Sequence, residues 1–224
     1  MSSIQQAQSV PKIKVEVVNR LAWVKLNRPH KANALNSEML ETLLTEITAV
    51  SQRPDVHGVV VHAAGVRVFS AGADVNEPQS MSDIALWNRV SEVLWAMPVL
   101  SVALINGACI GGGLTVALGC DIRVAVPEAR FEYPVLRNDI MPCDNDILGL
   151  RALVDQSRTD QLVLTGLSVD AYTALQWGLV DRIVHLERLE DTAREICEIA
   201  TSVERAQVER QKTNLWRFRR SVQH

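Results

Sequence analysis

Cysteine is scarce and makes no motif. The chain carries four, Cys109, Cys120, Cys143 and Cys197, in 224 residues. None form a CxxC pair, and their spacing suits neither zinc nor a disulfide framework. A reducing, cytoplasmic setting is the simplest expectation. The five histidines are scattered without HxxxH or HxH spacing, so no metal is expected. Excess positive charge is missing too: the formal net charge is −3, which argues against nucleic acid as a partner. The one basic cluster, Arg217, Arg219 and Arg220, reads as a solvated helix end. The longest largely apolar run, Val99 to Ile105, is far short of a membrane span. The first residues, Met1 to Val10, are polar and small, unlike a signal peptide.

What is present is an ordinary globular balance, with 47% hydrophobic and 22% charged residues. That length supports one sizeable core or two small ones. The chain is organised around Asn106 to Asp121, where Gly111, Gly112 and Gly113 join a buried strand (Val99 to Ile105) to a helix covering Leu114 to Leu118. A helix start with a glycine hinge gathers free backbone N–H groups and lets a ligand come close to them. Such a place suits an anion or a developing oxyanion.

Taken in order, residues 1–11 read as disordered. Ile13 to Val18 and Leu21 to Leu26 alternate in polarity and form a hairpin. His30 to Leu35 is a loop. Asn36 or Ser37 caps a helix with Met39, Leu40, Leu43, Leu44, Ile47 and Val50 at helical spacing, and Pro54 stops it. Val59 to Val61 is a buried strand of a parallel sheet. Val68 to Asp74 is a small-residue turn after a strand, and Asn76 to Ser82 is a polar loop. Ser82 and Asp83 open a helix carrying Ile84, Leu86, Val90, Val93, Leu94 and Met97. Asp121 to Ala125 is a strand, with a short one at Ala129 to Phe131. Pro134 to Asp146 is an irregular acidic loop. Helices follow at Ile147 to Val154, Arg158 to Leu164 and Asp170 to Trp177. A strand at Leu179 to Val184 precedes helices at Leu189 to Ser202 and Glu204 to Arg219. This order predicts an α/β fold of repeated right-handed ββα or βαβ units with a helical tail. No internal repeat or dividing linker is visible.

Two glycine turns could carry chemistry: Ser70 to Asp74, and Ile110 to Gly113. Neither is a Rossmann fingerprint, and no GK[ST] makes a P-loop, so ATP- or NAD-dependent chemistry is poorly supported. Together, two N–H donors from separate turns are what a thioester enolate needs.

The ordered motifs Leu26-Asn-Arg-Pro29 with Asn33-Ala-Leu35, Phe69-Ser-Ala-Gly-Ala-Asp74, Asn106-Gly-Ala-Cys-Ile-Gly-Gly-Gly113 with Cys120-Asp121, and Ala174-Leu-Gln-Trp-Gly-Leu-Val180 resemble the enoyl-CoA hydratase/isomerase (crotonase) superfamily. The resemblance covers about residues 13–185. It implies a crotonase-like (ClpP/crotonase) fold, with the core and its acyl-thioester site in 1–185 and a shortened C-terminal helical region in 186–224. It implies hole donors at the N–H groups of Ala73 and Gly112. It implies coenzyme A, as substrate or ligand rather than cofactor, along Ala32, Ala71, Asp74 and Val75, with Arg28, His30 and Lys31 placed for its phosphates. It further implies a homo-oligomer, a trimer or hexamer, although the chain stops at His224, short of the family's further C-terminal helices.

The chain departs from that family where hydratases keep two catalytic glutamates: Thr115 and Val135 stand there. A threonine hydroxyl holds a water but is a poor base, and valine does neither. Relatives with an aspartate further along the loop direct attention to Cys143-Asp-Asn-Asp146. Asp144 is nominated as catalytic, with helix capping as its alternative; for Asp146 capping is the expected role. Cys143 is a candidate nucleophile or a buried structural cysteine. Glu132 and Asp139 flank the loop. His62 reads as a core or edge histidine, and Trp87, Trp95 and Met97 as packing or pocket residues. Three readings remain. The first is an enzyme that stabilises the enolate of a CoA or acyl-carrier-protein thioester. The second is a non-catalytic acyl-CoA-binding relative or partner subunit. The third is a decarboxylase or dehydratase of a polyketide-type biosynthetic pathway.

Overall fold

The computed structural model describes residues 10–77, 79, 81 and 83–221. Most of the expected disordered N-terminus, together with Pro78, Ser80 and Ser82 of the polar loop and the side chains of Arg217, Arg219 and Arg220, lies outside the described residues.

The chain opens with the expected hairpin. Strands β1 (Ile13–Val18) and β2 (Leu21–Leu26) pair antiparallel from Ile13↔Leu26 to Val18↔Leu21. Asn19 and Arg20 turn the corner with φ of 52° and 65°, the left-handed pair that a two-residue hairpin needs. Asn36 caps α1 (Ser37–Ser51), its side chain accepting the Met39 N–H at 3.1 Å. Of the predicted apolar stripe, Met39, Leu40, Leu43, Ile47 and Val50 are buried and Leu44 is partly buried.

Three ββα units follow. They are β3 (Gly58–Ala63), β4 (Val68–Ser70) and α2 (Ile84–Trp95); then β5 (Leu100–Ile105), β6 (Ala108–Ile110) and α3 (Gly112–Leu118); then β7 (Ile122–Ala125), β8 (Arg130–Glu132) and α4 (Asp144–Leu153). After them come α5 (Gln156–Asp160), a π-helical turn (Gln161–Thr165), β9 (Val169–Asp170), α6 (Ala171–Trp177), β10 (Arg182–Ile183), α7 (Leu189–Ser202) and α8 (Arg205–Ser221). In each unit the first strand joins a six-stranded sheet ordered β1-β2-β3-β5-β7-β10, and the second joins a four-stranded sheet ordered β4-β6-β8-β9. Beyond the β1–β2 hairpin the large sheet is parallel; in the small sheet only β8–β9 is antiparallel.

The α/β class and the ββα repeat are as expected. The short members of the small sheet are not: β6 and β9 are too brief to show a period. The expected helix from Ile147 starts at Asp144, and the expected strand Leu179–Val184 contracts to Arg182–Ile183.

Strand β5 is buried on both faces because α7 packs on β3, β5 and β7 while β4 and α3 pack on β5. The guanidinium of buried Arg123 ties β7 to the β10 side, donating to the carbonyls of Leu179 at 2.9 Å and Cys120 at 2.8 Å and to Asp181 at 3.0 Å. The final helix is anchored in turn: Lys212 reaches Asp121, and Arg205 donates to the carbonyls of Val56 and Ser51.

Candidate active site

Strands β4, β6 and β8 lie side by side and parallel, with Val68↔Ala108 and Cys109↔Phe131 in register. Their carboxyl ends therefore deliver three segments to one edge of the small sheet: residues 71–74, the start of α3, and residues 133–135. Open α/β sheets place ligand sites at such strand ends.

The two glycine turns are in contact, and glycine is what permits it. A Cβ on Gly72 would stand 2.8 Å from the Ile110 carbonyl oxygen and 3.1 Å from the Gly112 nitrogen, and its φ is +88°. A Cβ on Gly113 would meet the Ser70 carbonyl oxygen at 2.8 Å, and one on Gly112 would enter the Trp87 ring at 2.1 Å. The glycine run thus lets the second turn and the start of α3 settle onto the first turn, with Trp87 laid over the helix start.

Both expected donors are presented. Leu35 bridges to Ala73 through the neighbours on either side: the Leu35 N–H donates to the Gly72 carbonyl, and the Asp74 N–H donates to the Leu35 carbonyl. The Ala73 N–H therefore points away from that bridge. Gly112 is the first residue of α3, where no intrahelical acceptor exists for its N–H. Among the described residues neither N–H has a backbone partner outside regular elements. Ala73 and Gly112 line one cleft together with Ala71, Val75, Trp87, Thr115, Tyr133, Val135 and Cys143.

The carboxylate that the fold brings behind this cleft is Asp146. Its Oδ2 accepts hydrogen bonds from the Thr115 hydroxyl at 2.5 Å and the Tyr133 hydroxyl at 2.6 Å. All three side chains are buried, and Thr115 and Tyr133 reach the cleft wall. The other oxygen, Oδ1, is buried with no hydrogen-bond partner among the described residues. Burial raises the Asp146 carboxyl to about 6, partly offset by the two hydroxyl hydrogen bonds. Burial, and the Asp146 charge after it, push the Tyr133 phenol up.

These placements redistribute the expected roles. Asp144, nominated as catalytic, is exposed on the first turn of α4 and does not line the cleft. Asp146, expected as a cap, caps nothing: the helix enters at Cys143 without a side-chain cap, and the Asp146 carboxylate turns inward to Thr115 and Tyr133. The legible signal was the spacing Asp146, Gly149, Leu150, which is the buried face of α4. Tyr133 carried no signal of its own. Cys143 lines the cleft, but burial first, then Asp146 and Asp144, raise its thiol to about 12, so it is a weak nucleophile at neutral pH. His62 stands edge-on to Trp23 at 5.6 Å, away from the cleft, and burial lowers it to about 4. Glu132 gives its backbone carbonyl to the Gly111 N–H at 2.9 Å. Val135, at the second glutamate position, faces the cleft and supplies no proton.

Of the residues expected to meet coenzyme A, Ala71 and Val75 line the cleft, and the Ala71 N–H donates to the Ala32 carbonyl at 3.0 Å. His30 and Lys31 are exposed on a 3-10 turn (Pro29–Lys31). Arg28 is drawn inward instead: it pairs with buried Asp74 and donates to the Ala34 carbonyl at 3.1 Å. That ion pair holds the Asp74 carboxyl below the usual range. It commits both side chains to each other, whereas His30 and Lys31 stand open to solvent. Among the described residues no group of three or more His, Cys, Asp or Glu could hold a metal ion, and no helix is long and apolar enough to cross a membrane.

The chain is similar to known proteins of one family. The family model for enoyl-CoA hydratase/isomerase matches residues 16–220. The chain is 35% identical over 188 residues to a short-chain-enoyl-CoA hydratase of Clostridium acetobutylicum, covering 81% of this chain and 72% of that one. It is 33% identical over 181 residues to a crotonyl-CoA hydratase of Syntrophomonas wolfei, covering 78% and 70%. Among solved structures it superposes on Pseudomonas aeruginosa DspI with a TM-score of 0.85 at 28% identity, covering 94% of this chain and 88% of that one. An enoyl-CoA hydratase from Bacillus anthracis gives 0.86 at 28% identity, covering 92% and 82%.

Proposed function

The chain belongs to the enoyl-CoA hydratase/isomerase family, and we propose that its cleft receives an acyl thioester and stabilises the enolate formed at the thioester carbonyl. The observation that carries this reading is the pair of N–H groups on Ala73 and Gly112, presented by two turns in contact beside one cleft. An enolate oxygen is a localised charge, and two fixed dipoles meet it without reorganising. The named activities of the relatives, on short-chain enoyl and crotonyl thioesters, point to a small acyl group carried on coenzyme A or a carrier protein. His30 and Lys31, exposed on the turn after β2, are placed for its phosphates. Assembly as a homo-oligomer belongs to the same reading, supported by the exposed side chains of Leu164, Leu167, Tyr172 and Leu175.

A non-catalytic acyl-CoA-binding role is the second reading, favoured by Thr115 and Val135 in place of carboxylates. A panel of enoyl-, hydroxyacyl- and malonyl-type CoA thioesters, followed by absorbance and mass alongside calorimetric binding, separates the two. Turnover supports the enzyme; binding of the panel without turnover overturns it. Ala73→Pro deletes one donor that the Leu35 bridge does not use. The expected result is a loss of kcat of about 100- to 1,000-fold with thioester binding largely kept. Unchanged kcat removes Ala73 from the hole.

A further inference from the structure

The Asp146 network has a feature that a purely structural role leaves unexplained. A buried polar cluster kept for stability satisfies its members, yet Asp146 Oδ1 is buried without a partner among the described residues while both hydroxyls crowd onto Oδ2. An unpaired buried carboxylate oxygen costs stability and calls for an explanation. The network also joins two segments that line the cleft, Thr115 coming from α3 and Tyr133 from the segment after β8.

Each hydroxyl has one hydrogen. With Asp146 ionised, both hydrogens point at Oδ2, so Thr115 and Tyr133 show the cleft only lone pairs. With a proton on Oδ2, that proton is donated to one hydroxyl, which is then free to donate into the cleft. The protonation state of a carboxylate that never meets substrate is thereby passed to the cleft as a donor or an acceptor.

We propose that Asp146, acting through the hydroxyls of Thr115 and Tyr133, holds and returns the proton of the thioester reaction, so that one buried carboxylate and two relays serve where two carboxylates would otherwise stand. The inference rests on the thioester reading above. For a 2-enoyl thioester the step balances as follows. Water oxygen bonds to C3, the C2–C3 π pair moves to C1–C2, and the carbonyl π pair becomes the oxyanion held by the Ala73 and Gly112 N–H groups. The water proton goes to Thr115 Oγ1 as the Thr115 proton goes to Asp146 Oδ2. The enolate then re-forms its carbonyl, C2 takes the Tyr133 proton, and Tyr133 takes the proton from Asp146. Water has added across the double bond, and Asp146 is again ionised. The direction follows from the Asp146 proton: ionised Asp146 accepts from Thr115, and once protonated it no longer holds the Tyr133 phenol up by its charge and can return a proton to it. The same groups run backwards for a 3-hydroxyacyl thioester. Asp146 is the positioning and proton-holding residue, and Thr115 and Tyr133 are the catalytic ones.

The groups facing Asp146 are Thr115, Tyr133 and Cys143, with Asp144 adding its charge at Cys143. Raised to about 6, the carboxyl titrates where both of its states are reached near neutrality.

The test follows crotonyl-CoA hydration in the full chain across pH, with butyryl-CoA C2–H exchange in deuterated water read separately by mass. Asp146→Asn keeps volume and hydrogen-bond acceptance but not the proton. It is expected to lower kcat about 100-fold or more, to leave KM within about threefold on the same argument, and to erase the pH limb near 6. Thr115→Val should match that loss, Thr115→Ser should recover most of it, and Tyr133→Phe should suppress C2–H exchange. Should Asp146→Asn fail to fold, the Thr115 and Tyr133 variants decide alone. Wild-type kcat and pH profile in the variants overturn the relay and leave the thioester reading intact. A wild-type chain that neither binds nor turns over thioesters overturns the reading beneath it.

Discussion

At the scale of single residues, two aspartates two positions apart have opposite fates. Asp144 faces solvent at the helix N-terminus, where its charge suits the helix dipole. Asp146, two positions on and about 200° round the helix, is buried, because its face of α4 also carries Gly149 and Leu150. The burial has a thermodynamic signature. The folded chain binds the Asp146 proton more tightly than the unfolded one, since the carboxyl rises from 3.8 to about 6. The stability it contributes is therefore whole below the ordinary carboxylate range and is lost as pH rises through about 6, a change on the order of 3 kcal/mol. Asp146→Asn should remove this component. Urea midpoints from pH 4 to 7, taken as wild type minus variant, would show the difference falling with pH; a flat difference contradicts the burial of an ionisable group there. Asp74 has the opposite sign, its lowered carboxyl losing stability as pH falls, which is why the comparison must be made against the variant.

At the scale of elements, the glycine run behaves as a packing device as much as a hinge. Gly112 lies inside α3, where its missing Cβ makes room for the Trp87 ring. Gly112→Ala keeps the N–H donor but drives a methyl into that ring, and should destabilise the fold by about 1–3 kcal/mol. Trp87→Leu in the same chain should recover part of that loss, with a coupling of at least about 0.5 kcal/mol in a thermal double-mutant cycle. Additive losses would separate the two residues. The elements legible in the sequence were those long enough to repeat a pattern: the opening hairpin, α1, α2 and α7. The small sheet was not, because β6 has three residues and β9 two, and their pairing partners are distant in sequence. Without that sheet, the meeting of the glycine turns with Tyr133 at one edge has no sequence signature.

At the scale of the molecule, the tail is part of the folded body. Lys212 and Asp121 form an ion pair at 2.5 Å with side chains 12% and 16% exposed. Asp121 also accepts from the Ser101 N–H and hydroxyl, so the pair links α8 to the edge of β5. Lys212→Met should cost about 1 kcal/mol and speed amide exchange along α8 while leaving the cleft segments unchanged; unchanged α8 protection would show that its anchor lies elsewhere. The family, the ββα order and the two glycine turns were determined by the sequence alone, because each is a local pattern: an alternation, a helical stripe or a short motif. The hydrogen-bonded cluster proposed as the acid–base unit was decided only by the tertiary structure. Thr115, Tyr133 and Asp146 come from three segments, and none announces itself by type or spacing. They meet because parallel strands end together at one edge of the small sheet and α4 packs its buried face behind them. The same packing takes Asp146 out of water, and that desolvation turns an expected helix cap into a carboxyl that titrates near neutrality.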